Sequence, residues 1–230
     1  MLPPFYLNLI MMKKKLFFLL LSISMLIGVG DRLYAQVVSI NNVPGTKIRN
    51  TDGYEGIEGS PYFNKDWLSG QVVLVSGKEA KMDYLRYDML EDKLFFSDEG
   101  KQAEFAFAEP VRAFTIRGAV FQNNFPSIGD FTAANYYQVI GKGKFSLLKK
   151  EANTIGERTA YGTPAIRYFK KNTKYYIYDG KKMAIVKTDS KSLAEALGVK
   201  KEDIEKYAKE NKLDLKNDAE LKTVFENFSK

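Results

Sequence analysis

Between Gln71 and Thr188 the chain is a succession of short apolar runs, each interrupted by turn residues before it reaches helical length. Gln71–Ser76, Lys81–Tyr87, Leu94–Ser97, Ala103–Phe107 and Val111–Ile116 come first, broken by Ser76-Gly77-Lys78, Glu91-Asp92-Lys93, Asp98-Glu99-Gly100 and Glu109-Pro110. Strands at this spacing, with no helix to carry a crossover, pair with their sequence neighbours as antiparallel hairpins and meanders. The period of two is clearest where Ala103, Phe105 and Phe107 take one face and Glu104 the other. Residues 118–134 read as a long loop holding Phe121, Phe125 and Phe131. A second set follows: Tyr136–Ile140, Lys144–Lys150, Ala165–Lys170, Lys174–Tyr178 and Met183–Thr188, the last two joined by the hairpin signal Asp179-Gly180-Lys181-Lys182. The expected fold is mainly β (α+β), with about ten antiparallel strands in one curled sheet or barrel and a two-sheet sandwich as the alternative.

The C-terminus changes period. Ser192-Leu193-Ala194-Glu195 reads as a capping box and Gly198 as the glycine that ends the helix. Glu202 and Asp203 open a second helix with Ile204, Tyr207 and Ala208 on its apolar side. Asn217 caps a third, whose stripe is Leu221, Val224, Phe225 and Phe228. Helices this short are marginal alone, so these two or three must pack on one another or on the sheet. Residues 36–70, rich in Gly, Asn, Asp and Ser, read as an extended lead-in that docks through Tyr62, Phe63, Trp67 and Leu68. The expected division is therefore 1–35, 36–70, 71–188 and 189–230.

Residues 1–35 have the order of a secretory signal: Lys13-Lys14-Lys15, the apolar run Leu16–Val29, then a polar stretch ending in Ala35. That run is well short of the roughly 20 residues a spanning helix needs. Cleavage after Ala35 leaves Gln36 first, with no transmembrane segment in the product and a periplasmic or secreted location. Met11 or Met12 is an alternative start to Met1. No Cys follows the apolar run, so lipid attachment to a thiol there is excluded.

The chain contains no Cys and no His. Disulfides, thiolate chemistry, Cys/His zinc sites and Ser-His-Asp triads are excluded together. Ser146-Leu147-Leu148-Lys149 matches S-x-x-K, but that motif needs a helix to bring Ser and Lys to one face, and here it lies in a strand. The carboxylate pairs Glu104 with Glu109 and Asp83 with Asp88 are the candidates for glycosidase chemistry, equally readable as solvated surface. Neither a calcium loop nor a phosphate or dinucleotide fingerprint is present, so no cofactor and no metal are expected.

Residues 141–187 hold twelve Lys and Arg against three Asp and Glu. Within them Arg167, Tyr168, Lys170, Lys171, Lys174, Tyr176 and Tyr178 interleave cations with aromatic rings, as a face for an anionic ligand does. The bland alternative is that alternating Tyr is good strand material and Lys guards a sheet edge. The expected partners are an acidic glycan, a lipid or an envelope protein, and not nucleic acid.

Gly59-Ser60-Pro61-Tyr62-Phe63 with Trp67, then Val72–Val75, Leu85-Arg86-Tyr87-Asp88, Leu94-Phe95-Phe96, Phe105–Pro110 and Ile204–Phe228, resemble a group of exported proteins of Bacteroidota-type Gram-negative bacteria for which no activity is established. The resemblance implies export and a β body with a helical tail, and it brings no functional residues with it. Together these observations point to a non-enzymatic envelope protein that binds a ligand or partner. An apolar-ligand carrier with a curled sheet and a carboxylate-dependent glycan hydrolase are the alternatives.

Overall fold

The computed structural model describes residues 38–39, 45–50, 53–98, 100, 103–159 and 161–230. The expected export signal lies outside them. Among the described residues thirteen strands form one sheet. They are β1 (Val38–Ser39), β2 (Gly45–Asn50), β3 (Ile57–Glu58), β4 (Leu68–Leu74), β5 (Glu79–Asp88), β6 (Lys93–Phe96) and β7 (Ala103–Phe107), then β8 (Val111–Ile116), β9 (Ala119–Gln122), β10 (Tyr137–Lys142), β11 (Ser146–Arg158), β12 (Ile166–Tyr178) and β13 (Met183–Val186). Helices α1 (Ser190–Leu197), α2 (Lys201–Glu210) and α3 (Asp218–Phe228) follow.

The sheet runs β13-β12-β11-β10-β9-β8-β4-β5-β6-β7-β2, nearly all antiparallel. Only β1 on β5 and β3 on β12 pair in parallel, over two residues each. The end strands β13 and β2 do not meet among the described residues, so the sheet is curled and open rather than a closed barrel or a sandwich.

Several expected boundaries move, each for a local reason. Lys144–Lys150 extends to Arg158, and the two short runs on either side of Lys171 fuse into β12, because the 13 residues of β11 pair with the 13 of β12 without a bulge. Ladder hydrogen bonds override the low strand propensity of Asn153, Gly156 and Asn172. The expected loop 118–134 begins with β9, which closes a tight hairpin on β8 through Arg117 and Gly118, both at positive φ. The lead-in contributes β2 and β3 as well as its anchors.

In β4 through β9 the sheet curls round one apolar cluster: Val72, Leu85, Tyr87, Phe114, Ile116 and Phe121 are each at most 4% exposed. Phe114 stacks on Phe121 at 4.7 Å, with Tyr87 packed against both and Tyr136 against Phe114 and Tyr87. The opposite face of β5–β7 is also covered, by residues 54–67. There the Arg86 guanidinium lies 4.1 Å from the ring centroids of both Tyr62 and Trp67 and 2.7 Å from Glu104. Tyr62 OH donates to the same carboxylate at 2.7 Å.

The two faces of the β11–β12 ladder have different covers. Leu147 and Ile177 meet α1–α3 through Leu193, Ile204, Val224 and Phe225. Asp189, rather than Ser192, caps α1, accepting the Ser192 N–H at 2.8 Å, while Ser192 Oγ accepts from Lys187 N–H. Gly198 ends that helix at φ 70°, and Asn217 caps α3. Helix α3 sits close to the β10–β11 turn: a Cβ on Gly141 would come within 2.8 Å of Phe225, and one on Gly143 within 2.2 Å of the Ser229 carbonyl. The C-terminal residues answer with Lys144 N–H to Ser229 O at 2.6 Å and Phe145 N–H to Ser229 Oγ at 3.2 Å. On the other face, Leu148 and Tyr176 pack beneath the β9–β10 loop with Phe125 and Tyr137. Beside that packing the cover stops short, and a cavity opens.

Candidate functional site

The cavity has a volume of about 490 Å³, within the range usual for small-molecule sites. Three pieces of chain frame it: the β5–β6 turn Met89–Asp92, the loop residues Asp130, Phe131 and Asn135, and the ladder residues Lys150, Ala152, Asn153, Thr154, Asn172 and Lys174. Five of these six ladder residues have even numbers, and the unbroken register puts those five on the face away from the helices, while Asn153 directs its side-chain amide to Pro61 O.

The turn is fixed from behind. Asp88, fully buried, accepts the N–H of Leu90 at 2.8 Å and of Glu91 at 3.0 Å, and the Tyr54 hydroxyl donates to it at 2.5 Å. That bend delivers Asp92 in the left-handed region, φ 57°, which Asp tolerates better than most residues. The loop is fixed by Asn135, whose Oδ1 accepts Thr132 N–H at 2.7 Å while its Nδ2 donates to Asp92.

Lys150, 2% exposed, lies at the base. Its ammonium is 2.7 Å from Asp92 Oδ1, donates to Tyr136 O at 2.9 Å and to Tyr87 OH at 3.3 Å, and lies over the rings of Phe131 and Tyr137 at 5.4 and 5.8 Å. Asp92 also accepts from Tyr87 OH and from Tyr136 N–H at 3.3 Å. Burial lowers the Lys150 pKa, and the Asp92 charge offsets that only in part. Burial, then the negative charge of Asp92, pushes the Tyr87 hydroxyl well above its ordinary range. All three ammonium protons have acceptors, so Lys150 acts as a neutralised structural cation, not as a free amine.

Above this base the wall is polar. Asn172 Nδ2 donates to Thr154 Oγ1 at 3.3 Å, Asp130 contributes a carboxylate, and Phe131 presents an aromatic ring. Lys174 stands directly across the ladder from Lys150. It is exposed and has no ion pair among the described residues. Amide and hydroxyl groups, one ring, the Asp130 and Glu91 carboxylates and the Lys174 cation together can hold a hydroxyl-rich molecule, with Lys174 the place for an acidic group on it.

The structure divides the seven residues of the expected anionic-ligand patch. Tyr168, Lys170, Lys174, Tyr176 and Tyr178 share the cavity face of β12, whereas Arg167 and Lys171 take the other face. Lys171 is 3.6 Å from Glu151. Tyr176 is 1% exposed and packs edge-on to Tyr137. Tyr178 packs against Phe125 and donates to Gly180 O at 2.8 Å. Tyr168 lies beside Arg158, whose guanidinium carbon is 5.5 Å from the ring. Of the seven, Lys174 alone lines the cavity, with Lys170 next on the same face.

Other sequence candidates have definite places. Glu104 is not on an open face: Tyr62 and Trp67 cover it, and it is the buried counterion of Arg86. Glu109 is exposed and accepts Ser76 N–H at 2.6 Å, which holds its carboxyl below the ordinary range. Asp83 is exposed on β5 and Asp88 is engaged in the turn. Ser146 and Lys149 lie on opposite faces of β11, Lys149 being paired with Asp218 at 2.7 Å and Glu151 at 3.1 Å. Lys150, Asp92 and Asn135 escaped the sequence analysis. Their signal was there, because consecutive lysines in a strand, Lys149-Lys150, point to opposite faces and one of them must find a carboxylate inside.

Among the described residues no cluster of three Asp or Glu has metal-binding geometry, and no helix is long and apolar enough to cross a membrane. No protein-family model, curated protein or solved structure matches the chain.

Proposed function

We propose that the protein is an exported, non-enzymatic component of the cell envelope that binds an acidic, hydroxyl-rich ligand, a uronate-type glycan end, in the cavity beneath Lys174. The observation that carries this reading is the contrast between two lysines facing each other across one ladder. Lys150 is neutralised by Asp92, while Lys174 keeps its charge on the cavity wall. Phe131 offers a stacking surface for a sugar ring, and Asn172, Thr154 and Asn135 offer hydroxyl partners. The apolar-carrier alternative fits this lining less well, since acidic, basic and amide groups surround the space and aromatic side chains fill the curl of the sheet. A hydrolase needs two free carboxyls across the ligand; Asp92 is committed to Lys150 and Glu91 is held by Tyr54 and Lys93, which leaves Asp130 of the three carboxylates that line the cavity. Export rests on the basic-apolar-polar order of residues 13–35.

Isothermal titration with galacturonate and glucuronate oligosaccharides, against neutral sugars of equal length, tests the ligand class. Lys174→Gln should weaken acidic-sugar binding by about tenfold, the usual worth of one charge-assisted contact. Equal affinity for neutral and acidic sugars would retire the proposal. Native mass spectrometry of protein from its own envelope tests export, for which the mass expected begins at Gln36.

A further inference from the structure

β12 has one edge covered throughout and the other covered only at its ends. All thirteen of its residues pair with β11. On the far side, β3 pairs with Arg167 and Tyr168, and β13 pairs with Tyr175–Tyr178. Phe169–Lys174 have no strand partner on that side among the described residues. The adjoining strands leave the gap by built-in turns. β3 ends at Gly59, whose φ of 94° takes the chain away, and β13 passes through Lys187 to the Asp189 cap of α1. The result is a recess six residues long, about 20 Å at the usual strand rise.

The ladder's phase shows which groups face the recess. Asn153 N–H donates to Met89 O, away from β12, so odd-numbered residues of β11 turn their backbone groups from β12 and even-numbered ones turn toward it. With Thr154 opposite Lys170 and Ala152 opposite Asn172, even-numbered residues of β12 bond to β11. Thr154 Oγ1 reaching Lys170 O at 3.4 Å agrees with this phase. Lys171 and Thr173 therefore present their N–H and C=O groups to the recess, together with the Phe169 carbonyl, while the Phe169 N–H closes the last bond of the β3 ladder.

We infer that this recess is a β-augmentation site for an acidic, extended segment of a partner protein. Main-chain groups of Phe169, Lys171 and Thr173 would bond the added strand, as exposed edges do for peptide ligands. Lys170 and Lys174 flank it on one face and Lys171 on the other, so charge complementarity selects a strand with carboxylates opposite them. A second copy of this chain is a poor occupant, since it would set Lys against Lys across the new ladder. The competing role of these lysines, protecting the edge against any added strand, is an outcome of the test.

The probe is a fluorescein-labelled peptide of alternating glutamate and valine, followed by anisotropy, with an alternating lysine and valine peptide as its counterpart. The glutamate peptide should bind, more weakly as salt rises, and the lysine peptide should not. Thr173→Pro removes one recess-facing N–H and leaves the β11 bonds intact, so it should reduce affinity by about tenfold or more while Thr173→Ala does not. Lys170→Gln with Lys171→Gln should weaken binding several-fold and flatten its salt dependence. Hydrogen exchange covers the case in which the proline variant fails to fold. In the unaltered protein the N–H groups of Lys171 and Thr173 should exchange faster than those of Lys170 and Asn172 and become protected with the peptide. Absence of binding at millimolar peptide would overturn the inference in favour of an edge guard. Binding that is lost with the lysines but insensitive to proline, with no new protection, would overturn it in favour of a diffuse basic surface.

Discussion

Replacing Asp92 should cost the protein more than replacing its partner Lys150, although each change removes the same ion pair. Asp92→Asn keeps the shape and the tolerance for φ 57° but removes the charge that Lys150 faces. An ammonium that is 2% exposed is left with a carbonyl and a hydroxyl, and the new amide sets one donor against Asn135 or against Lys150 and Tyr87. Stranding one partner of a buried pair costs about 3–5 kcal/mol. Lys150→Met leaves an Asp92 that still accepts from Tyr87, Asn135 and Tyr136, and whose 14% exposed side chain reaches the cavity. Its main loss is the donor to Tyr136 O, worth about 1–3 kcal/mol. Urea unfolding at neutral pH, with unchanged dependence on denaturant, should place the two variants about 2 kcal/mol apart, Asp92→Asn the weaker. Raising the pH should narrow the gap. With its native pKa depressed, Lys150 sheds its proton in the folded state before it does so unfolded, and the uncompensated charge disappears. Equal costs, or a larger cost for Lys150→Met, would refute the assignment of Asp92 as the hub.

Other perturbations follow from the same packing. Gly143→Ala drives a Cβ into the Ser229 carbonyl and should loosen the docking of α3, destabilising by about 1–3 kcal/mol and speeding amide exchange in Leu221–Phe228. Glu104→Gln should cost about 3–5 kcal/mol in thermal or urea unfolding, because Arg86 is buried between two rings and loses its counterion. Alkali should unfold the protein. Tyr87, Tyr136, Tyr137 and Tyr176 are raised by burial and Tyr175, half-buried and bonded to Asp218, is pushed up to about 12. They keep their protons in the folded state after unfolded tyrosines ionise. The stability they contribute is complete below about pH 10 and is lost as pH rises toward the folded values. Tyrosinate absorbance should show this buried group ionising together with the loss of circular dichroism, not before it.

Local signals carried much of the architecture. The turn dipeptides and the period of two placed Ala103–Phe107 and Val111–Ile116 at their observed bounds, and the caps at Gly198 and Asn217 were legible because they are local chemistry. The length of β11 and β12 was not, since Asn153, Gly156 and Asn172 are poor strand formers and are held in strand geometry by cross-strand bonds. Burial of Glu104 depends on Tyr62 and Trp67, some forty residues earlier, crossing the back of the sheet. The cavity was half legible. Lys174 stood out as a basic residue in a strand, but its partners in the site come from the β5–β6 turn and the β9–β10 loop, which only the topology brings together.

The ligand site proposed here lies on the even-numbered face of the β11–β12 ladder, beneath Lys174. Titrating a galacturonate oligosaccharide into isotope-labelled protein and following backbone amide shifts tests it most directly. Saturable shifts should gather in Met89–Asp92, Asp130–Asn135, Ala152–Thr154 and Asn172–Lys174, and should be lost in Lys174→Gln. Shifts elsewhere, or none at millimolar sugar, would contradict it.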